Sequence, residues 1–172
     1  GIDTAGMHLA VQRIREAIAA KEKIVVFGDY DADGICATTV LWQTLSAEGA
    51  NAIPFLPNRL EHGYGLSVAA LDDLCAEEKP ALIITVDNGI VAHEAAEAAQ
   101  ERGIDLIITD HHMPEFDLDT LPPSLAIVHT TKLCGTTVAW FLARELSPEG
   151  SLDQLDLCAI ATVADQVPLT EF

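Results

Sequence analysis

Five short apolar runs, each leading into an amphipathic stretch, constrain this chain more than any other feature of its sequence. "KIVVFG", "NAIPFL", "ALIITV", "IDLIITD" and "LAIVH" have strand length and are rich in β-branched residues. Around them lie stretches of helical period: "MHLAVQRIREAIAAKE", "ICATTVLWQTLSAEG" ending near Gly49, and "SVAALDDLCAEE" with Ser67 as a candidate cap. "VAHEAAEAAQERG", "TTVAWFLARELS" and "LDQLDLCAIATVAD" follow. Near-continuous apolar strands alternating with helices specify right-handed βαβ units. The fold class expected is α/β, a doubly wound, mainly parallel five-stranded sheet with helices on both faces. With 172 residues and no repeat, low-complexity tract or linker, residues 1–172 are expected to form a single domain.

Such sheets bind ligands outside the carboxyl ends of their strands, near the point where strand order reverses. The unusual acids of this chain fall at that edge. Asp29, Asp31 and Asp33 follow the first strand in "FGDYDADGI", and Asp87 follows "ALIITV". Asp110, His111 and His112 end "IDLIIT", and Asp165 follows the last helix in "ATVADQVP". D-x-D-x-D-G also opens an EF-hand loop, but that loop needs a preceding helix and a glutamate at its twelfth position. Counted from Asp29 that position is Val40, and a strand precedes, so the calcium-loop reading fails. Taken singly, each residue has an ordinary explanation: aspartates after strands cap helices, "DNG" makes turns, and paired histidines sit in surface loops. Taken together, acids and imidazoles converging on one edge would repel one another unless cations neutralised them. Mixed Asp and His ligation suits a pair of Mn²⁺ or Mg²⁺ ions roughly 3.5–4 Å apart, the arrangement of two-metal phosphoryl hydrolysis. Zinc more often recruits cysteines or several histidines.

The formal net charge of −18 argues against binding a polyanion with this chain alone. It is equally what results when carboxylates gather around divalent cations, so charge leaves the two open. No apolar run reaches the length of a membrane span and the N-terminus carries no signal-like segment. No membrane association is therefore expected, and the compartment expected is cytoplasmic. Cys36, Cys75, Cys134 and Cys158 form no C-x-x-C pair. Cys36, Cys75 and Cys158 sit among apolar neighbours and are expected to be buried free thiols.

In order and approximate spacing, "DYDADG", "VDNGI", "TDHH" and "ATVADQVPL" resemble the four signature motifs of the DHH phosphoesterase superfamily. "FGDYDADGI" together with "PNRLEHGYGL" is similar specifically to the RecJ branch, the 5′→3′ exonucleases specific for single-stranded DNA. The likeness runs over nearly the whole chain. A lone DHH triplet would carry nothing, whereas four motifs in order are a strong signal. Residue by residue, the resemblance implies that Asp31, Asp33, Asp87, His111 and Asp165 ligate one or two Mn²⁺ or Mg²⁺ ions, with Asp87 bridging. It implies Asp29 and Asp110 as auxiliary acids of the catalytic site that orient ligands, and His112 as the histidine near the scissile phosphate. Arg59, the one guanidinium in "PNRLEHGYGL", is a candidate phosphate contact, and an ordinary surface arginine is the competing reading. Gly135 matches a glycine at a helix start, suited to letting a backbone approach phosphate. His62 reads as a loop residue, and His93, Trp42 and Trp140 as helix packing. The partner implied is single-stranded DNA, with replication or repair proteins as further candidates.

The chain departs from the RecJ pattern after the fifth strand. There the pattern has an Asn-Pro and a longer loop before L-C-G-x-G-V-A-F, whereas "IVHTTKLCGTTVAW" is short and lacks the Asn-Pro. RecJ-type enzymes continue into a second domain that closes over the cleft with basic surface, and this chain ends seven residues after Asp165. The expectation is a DHH-type catalytic domain lacking a C-terminal substrate-binding domain. One alternative is an oligonucleotide or cyclic-dinucleotide phosphodiesterase of the same superfamily. Those branches carry a histidine at the position of Phe27, a residue that also disfavours an inorganic pyrophosphatase. Another alternative is a non-catalytic RecJ-like replication scaffold, in which the ligand positions are eroded; here each is filled.

Overall fold

The computed structural model describes residues 4–58, 63–114 and 121–169. Five strands, β1 (Lys23–Phe27), β2 (Asn51–Phe55), β3 (Leu82–Val86), β4 (Asp105–Asp110) and β5 (Ala126–His129), form one sheet. Its order is β2-β1-β3-β4-β5 and every pairing is parallel. The described α-helices are α1 (Thr4–Ala19), α2 (Ala32–Ala47), α3 (Val68–Glu77), α4 (His93–Glu101), α5 (Gly135–Leu146) and α6 (Leu155–Ala164). A 3₁₀ turn at Gly150–Gln154 precedes α6, so the last helix starts later than "LDQLDLCAIATVAD" suggests. Each expected strand and helix is present.

Alternate strand residues serve opposite faces. Ile24 and Val26 of β1, Leu82, Ile84 and Val86 of β3 and Ile107 of β4 pack with Ile14, Leu41 and Val138 from α1, α2 and α5. Val25, Phe27, Ile83, Leu106 and Ile108 pack with Leu71 and Leu74 of α3 and Ala96 of α4. All five residues of β3 are buried, as a central strand covered on both faces requires. Pro54 is accommodated because β2 is an edge strand, where a missing ladder N–H is tolerated. From β1 the chain passes through α2 to β2 and then crosses back to β3, so strand order reverses between β1 and β3. The loops leaving these two strands carry Asp29 to Asp33 and Asp87.

The four cysteines are free, but only Cys134 and Cys158 are buried; Cys36 and Cys75, expected to be buried, are half-buried, Cys75 packing only in part against the core beneath α3 and α4. Trp140 is buried with its Nε1 donating to Ser151 O at 2.7 Å, whereas Trp42 is 37% exposed at the edge beside Ala52. Among the described residues no helix is long and apolar enough to cross a membrane.

Candidate metal centre

β1 gives way to α2 within four residues, earlier than the apolar pattern beginning at Ile35 suggests. Asp31 is the N-cap, its backbone extended (φ −83°, ψ −178°) and its Oδ1 accepting from Gly34 N at 2.8 Å. Gly34 permits the tight entry, since a Cβ there would lie 2.6 Å from the main-chain oxygen of Asp29. Asp33 consequently occupies the first turn of α2 and faces the N-terminus of α5. Gly135 N donates to Asp33 Oδ2 at 2.6 Å, and Thr136 N and Oγ1 lie 2.7 and 2.6 Å from Oδ1. A helix N-terminus favours negative charge, and among the described residues this buried carboxylate has these donors and no Lys or Arg. Asp29 is fully buried, with Oδ1 accepting from Tyr30 N at 2.7 Å and Oδ2 left without a hydrogen-bond partner. Burial pushes its carboxyl above the usual range.

β3 runs into Asp87, whose φ of 62° places a non-glycine residue in the left-handed region. Such a conformation costs about 1–3 kcal/mol and persists where the surroundings enforce it. Here Asp87 N donates to Thr109 O at 3.0 Å. Asn88 locks the turn by donating through Nδ2 to Phe27 O and Val86 O and accepting from Leu66 N. The turn drives the Asp87 side chain against α5: a Cβ on Gly135 would lie 2.3 Å from Asp87 Oδ1. Burial pushes Asp87 up to about 7, and its Oδ1 has no partner in hydrogen-bonding geometry.

β4 delivers Asp110, His111 and His112. Asp110 Oδ2 accepts from Ile90 N at 2.9 Å, and Oδ1 from His111 N at 2.7 Å and His112 N at 3.1 Å. His112 Nδ1 lies 2.7 Å from the same Oδ1. Burial opposes the charge of Asp110, but His112 and these N–H groups outweigh it and hold the carboxyl below its ordinary range. The hydrogen bond to Asp110 in turn raises His112 to about 9 against its partial burial. With Nδ1 committed, His112 presents Nε2 to the cleft, where the Tyr64 hydroxyl lies at 2.9 Å. His129, at the end of β5, holds the His112 carbonyl through Nε2 at 2.7 Å.

His111 turns the other way. Its Nε2 lies 3.1 Å from Asp87 Oδ1, 3.7 Å from Asp33 Oδ2 and 3.7 Å from Asp165 Oδ2, the last brought in from the C-cap of α6. Burial lowers its basicity, but Asp87 outweighs that and leaves the imidazole above its usual range. Ligand atoms within 4.8 Å of one another form three groups: Asp33, His111 and Asp165; Asp29, Asp31 and Asp87; and Asp87, His111 and His112. Among the described residues no Lys or Arg pairs with any of these carboxylates.

Two atoms test whether a divalent ion fits. Asp87 Oδ1 and His111 Nε2 are buried and 3.1 Å apart, yet neither has a partner in hydrogen-bonding geometry. Buried polar atoms left unpaired cost about 1–3 kcal/mol each. With His111 neutral, ligand atoms converging in this way suit a cation, whose binding displaces the imidazole proton. The donor set, carboxylates with one or two imidazoles and no thiol, suits Mn²⁺ or Mg²⁺. The residues present fit.

The family model described as "DHH family, N-terminal domain" matches residues 23–162. The chain belongs to the DHH family. The single-stranded-DNA-specific exonuclease RecJ of Bacillus subtilis (strain 168) is 43% identical over 173 residues, covering 95% of this chain and 22% of that protein. The crystal structure of exonuclease RecJ bound to manganese matches with a TM-score of 0.84 at 37% identity, covering 98% of this chain and 45% of the other. RecJ from Thermus thermophilus in complex with Mn²⁺ matches with a TM-score of 0.78 at 34% identity, covering 95% and 24%. The same enzyme in complex with Mg²⁺ matches at 0.61 and 27%, covering 95% and 21%. This DHH domain spans less than half the length of each of these relatives.

The DHH triplet divides its labour: Asp110 and His112 pair with each other, and His111 faces the other acids. Asp29, Asp31, Asp33, Asp87, Asp110, His111, His112, Asp165 and Gly135 thus gather at one rim, while Arg59 and His62 lie outside the described residues. Gly135, expected to bring backbone close to phosphate, has its N–H on Asp33 and yields its space to Asp87. Sequence reasoning missed Thr136, Asn88, His129 and Tyr64. Only Tyr64 carried a local signal, as an aromatic ring between two glycines of positive φ, Gly63 and Gly65.

Proposed function

We propose that this DHH domain hydrolyses phosphodiester bonds of single-stranded DNA with two bound Mn²⁺ or Mg²⁺ ions, as the catalytic part of a RecJ-type 5′→3′ exonuclease. The observation that carries the reading is the buried pair of Asp87 Oδ1 and His111 Nε2, 3.1 Å apart and with no hydrogen-bond partner, amid carboxylates that no described Lys or Arg neutralises. Asp33, His111 and Asp165 would hold one ion, and Asp29, Asp31 and Asp87 the other. Asp87 also groups with His111, which supports a bridging role. When bound, such ions supply positive charge to the phosphoryl oxygens and acidify water at neutral pH.

The protein's own groups do the rest. Asp110 fixes His112 with a proton on Nδ1. The charged imidazole then donates from Nε2 to an oxygen of the scissile phosphate or its leaving group, in the place now taken by the Tyr64 hydroxyl. Asn88 holds the loop bearing Tyr64 beside it through Leu66 N. Arg59 remains the proposed phosphate contact on sequence alone. With nine Lys and Arg against twenty-seven Asp and Glu, tight hold on a long strand requires basic surface from further domains.

The test is digestion of an end-labelled short single-stranded deoxyoligonucleotide at low salt. Slow, Mn²⁺-dependent release of mononucleotides is expected, faster from single strand than duplex and abolished by chelator or Asp87→Asn. Hydrolysis indifferent to both metal and Asp87→Asn would defeat the reading.

A further inference from the structure

Asp33 sits in the metal centre with three donor groups already directed at it, and their distribution is uneven. Thr136 N and Oγ1 both approach Oδ1, at 2.7 and 2.6 Å, while Gly135 N alone donates to Oδ2, at 2.6 Å. A carboxylate offers about four lone-pair sites, two on each oxygen. Oδ1 is therefore saturated, and the remaining site on Oδ2 belongs to the oxygen that lies 3.7 Å from His111 Nε2. The Thr136 hydroxyl also lies 2.9 Å from the main-chain oxygen of Asp33, but it has one proton. The shorter, charge-assisted contact to Oδ1 is the stronger destination. Thr136 is fully buried, so no water competes for that proton.

We propose that Thr136 is a positioning residue that makes Asp33 a one-oxygen ligand, saturating Oδ1 and leaving Oδ2 to the ion shared with His111 and Asp165. This rests on the two-ion reading above. It also assigns a role to a residue at the open position of the L-C-G-x-G-V-A-F pattern, where this chain reads "LCGTTVAW". The consequence is an asymmetry between the two ions. Asp33 groups with His111 and Asp165 and not with Asp29, Asp31 and Asp87, so a change at Thr136 reaches one ion directly and the other only through the bridging Asp87.

Thr136→Val removes the hydroxyl while keeping the backbone N–H and the shape; Thr136→Ser keeps the hydroxyl. Calorimetric titration with Mn²⁺, paired with electron paramagnetic resonance of free Mn²⁺, should resolve two binding steps in the parent chain. In Thr136→Val one step should weaken by about tenfold or more, the scale set by loss of a ligand-orienting partner, with the other weakened clearly less. Thr136→Ser should restore the parent pattern, and Thr136→Ala repeats the measurement should the valine variant fail to fold. Binding by the folded valine or alanine variant that matches the parent overturns the proposal. So does an equal loss in both steps with a lowered metal-free Tm, which marks a structural role. A parent chain that takes up no Mn²⁺ overturns the two-ion reading itself.

Discussion

At the amino ends of the strands, Arg13 reaches from α1 to Glu22 and Asp105 at 2.6 and 2.7 Å, and Lys23 pairs with Glu78. At the carboxyl ends, Asp29, Asp33, Asp87 and Asp110 are more deeply buried than any of those acids, yet none has a Lys or Arg partner among the described residues. The second rim satisfies its charges by weaker means: an α5 N-terminus for Asp33, main-chain N–H groups and an imidazole for Asp110. Asp87 Oδ1 and Asp29 Oδ2 are left unsatisfied. One rim is neutralised from within, and the other is built to be neutralised by something it binds. The left-handed backbone of Asp87 belongs with this, because strain of that kind is retained where function needs the geometry.

The largest effect is expected at Asp87. Asparagine tolerates the left-handed turn as well as aspartate does, so Asp87→Asn keeps the backbone while removing a buried carboxylate crowded by Asp33 and Asp31. Mn²⁺ affinity should fall by more than about a hundredfold, beyond what loss of an outer partner costs. The metal-free Tm should meanwhile rise, because desolvation and repulsion of that charge are relieved. Calorimetry and thermal melts of the metal-free protein decide it. A fall in metal-free Tm would make Asp87 a structural cap and erase the contrast between the rims.

Gly135→Ala probes the same rim from α5. The new Cβ would meet Asp87 Oδ1 at 2.3 Å and Asp87 Cβ at 2.6 Å, so either the helix start or the carboxylate must move. Overpacking of this kind costs about 1–3 kcal/mol, and Mn²⁺ binding should weaken by about tenfold as Asp87 is displaced. A variant with parent stability and parent Mn²⁺ affinity would show that the contact yields without consequence.

The two rims were unequally legible in the sequence. Runs such as "ALIITV" announce buried strands because both faces of β3 are covered, and the acids after them are placed by the sheet's polarity. The start of α2 was hidden because "DYDADG" reads as loop. It becomes helix only through the Asp31 cap and the space Gly34 leaves beside Asp29. The donors that hold Asp33 were invisible because Thr136 lies 103 residues away, and local pattern carries no information about which helix start meets which loop. The paired rim was equally silent: Arg13 and Asp105 are 92 residues apart and look like ordinary solvated charges.

A smaller effect is expected at Arg13, on the opposite rim. Arg13 is a charge with both partners in place, its side chain 14% exposed and those of Glu22 and Asp105 34% and 44%. Ion pairs this open to solvent are worth about 0–1 kcal/mol each, and alanine also removes the packed aliphatic stem. Arg13→Ala should therefore lower stability by about 1 kcal/mol in total. Part of the deficit should vanish in about 1 M salt, where the screening length falls to about 3 Å. Mn²⁺ affinity should not change, because the variant touches nothing at the carboxyl ends of the strands. Thermal melts at two salt concentrations and one Mn²⁺ titration measure all three quantities. A shift in Mn²⁺ affinity would mean that the charge balance of one rim is transmitted through the sheet to the other, and the two could no longer be treated as separate electrostatic systems.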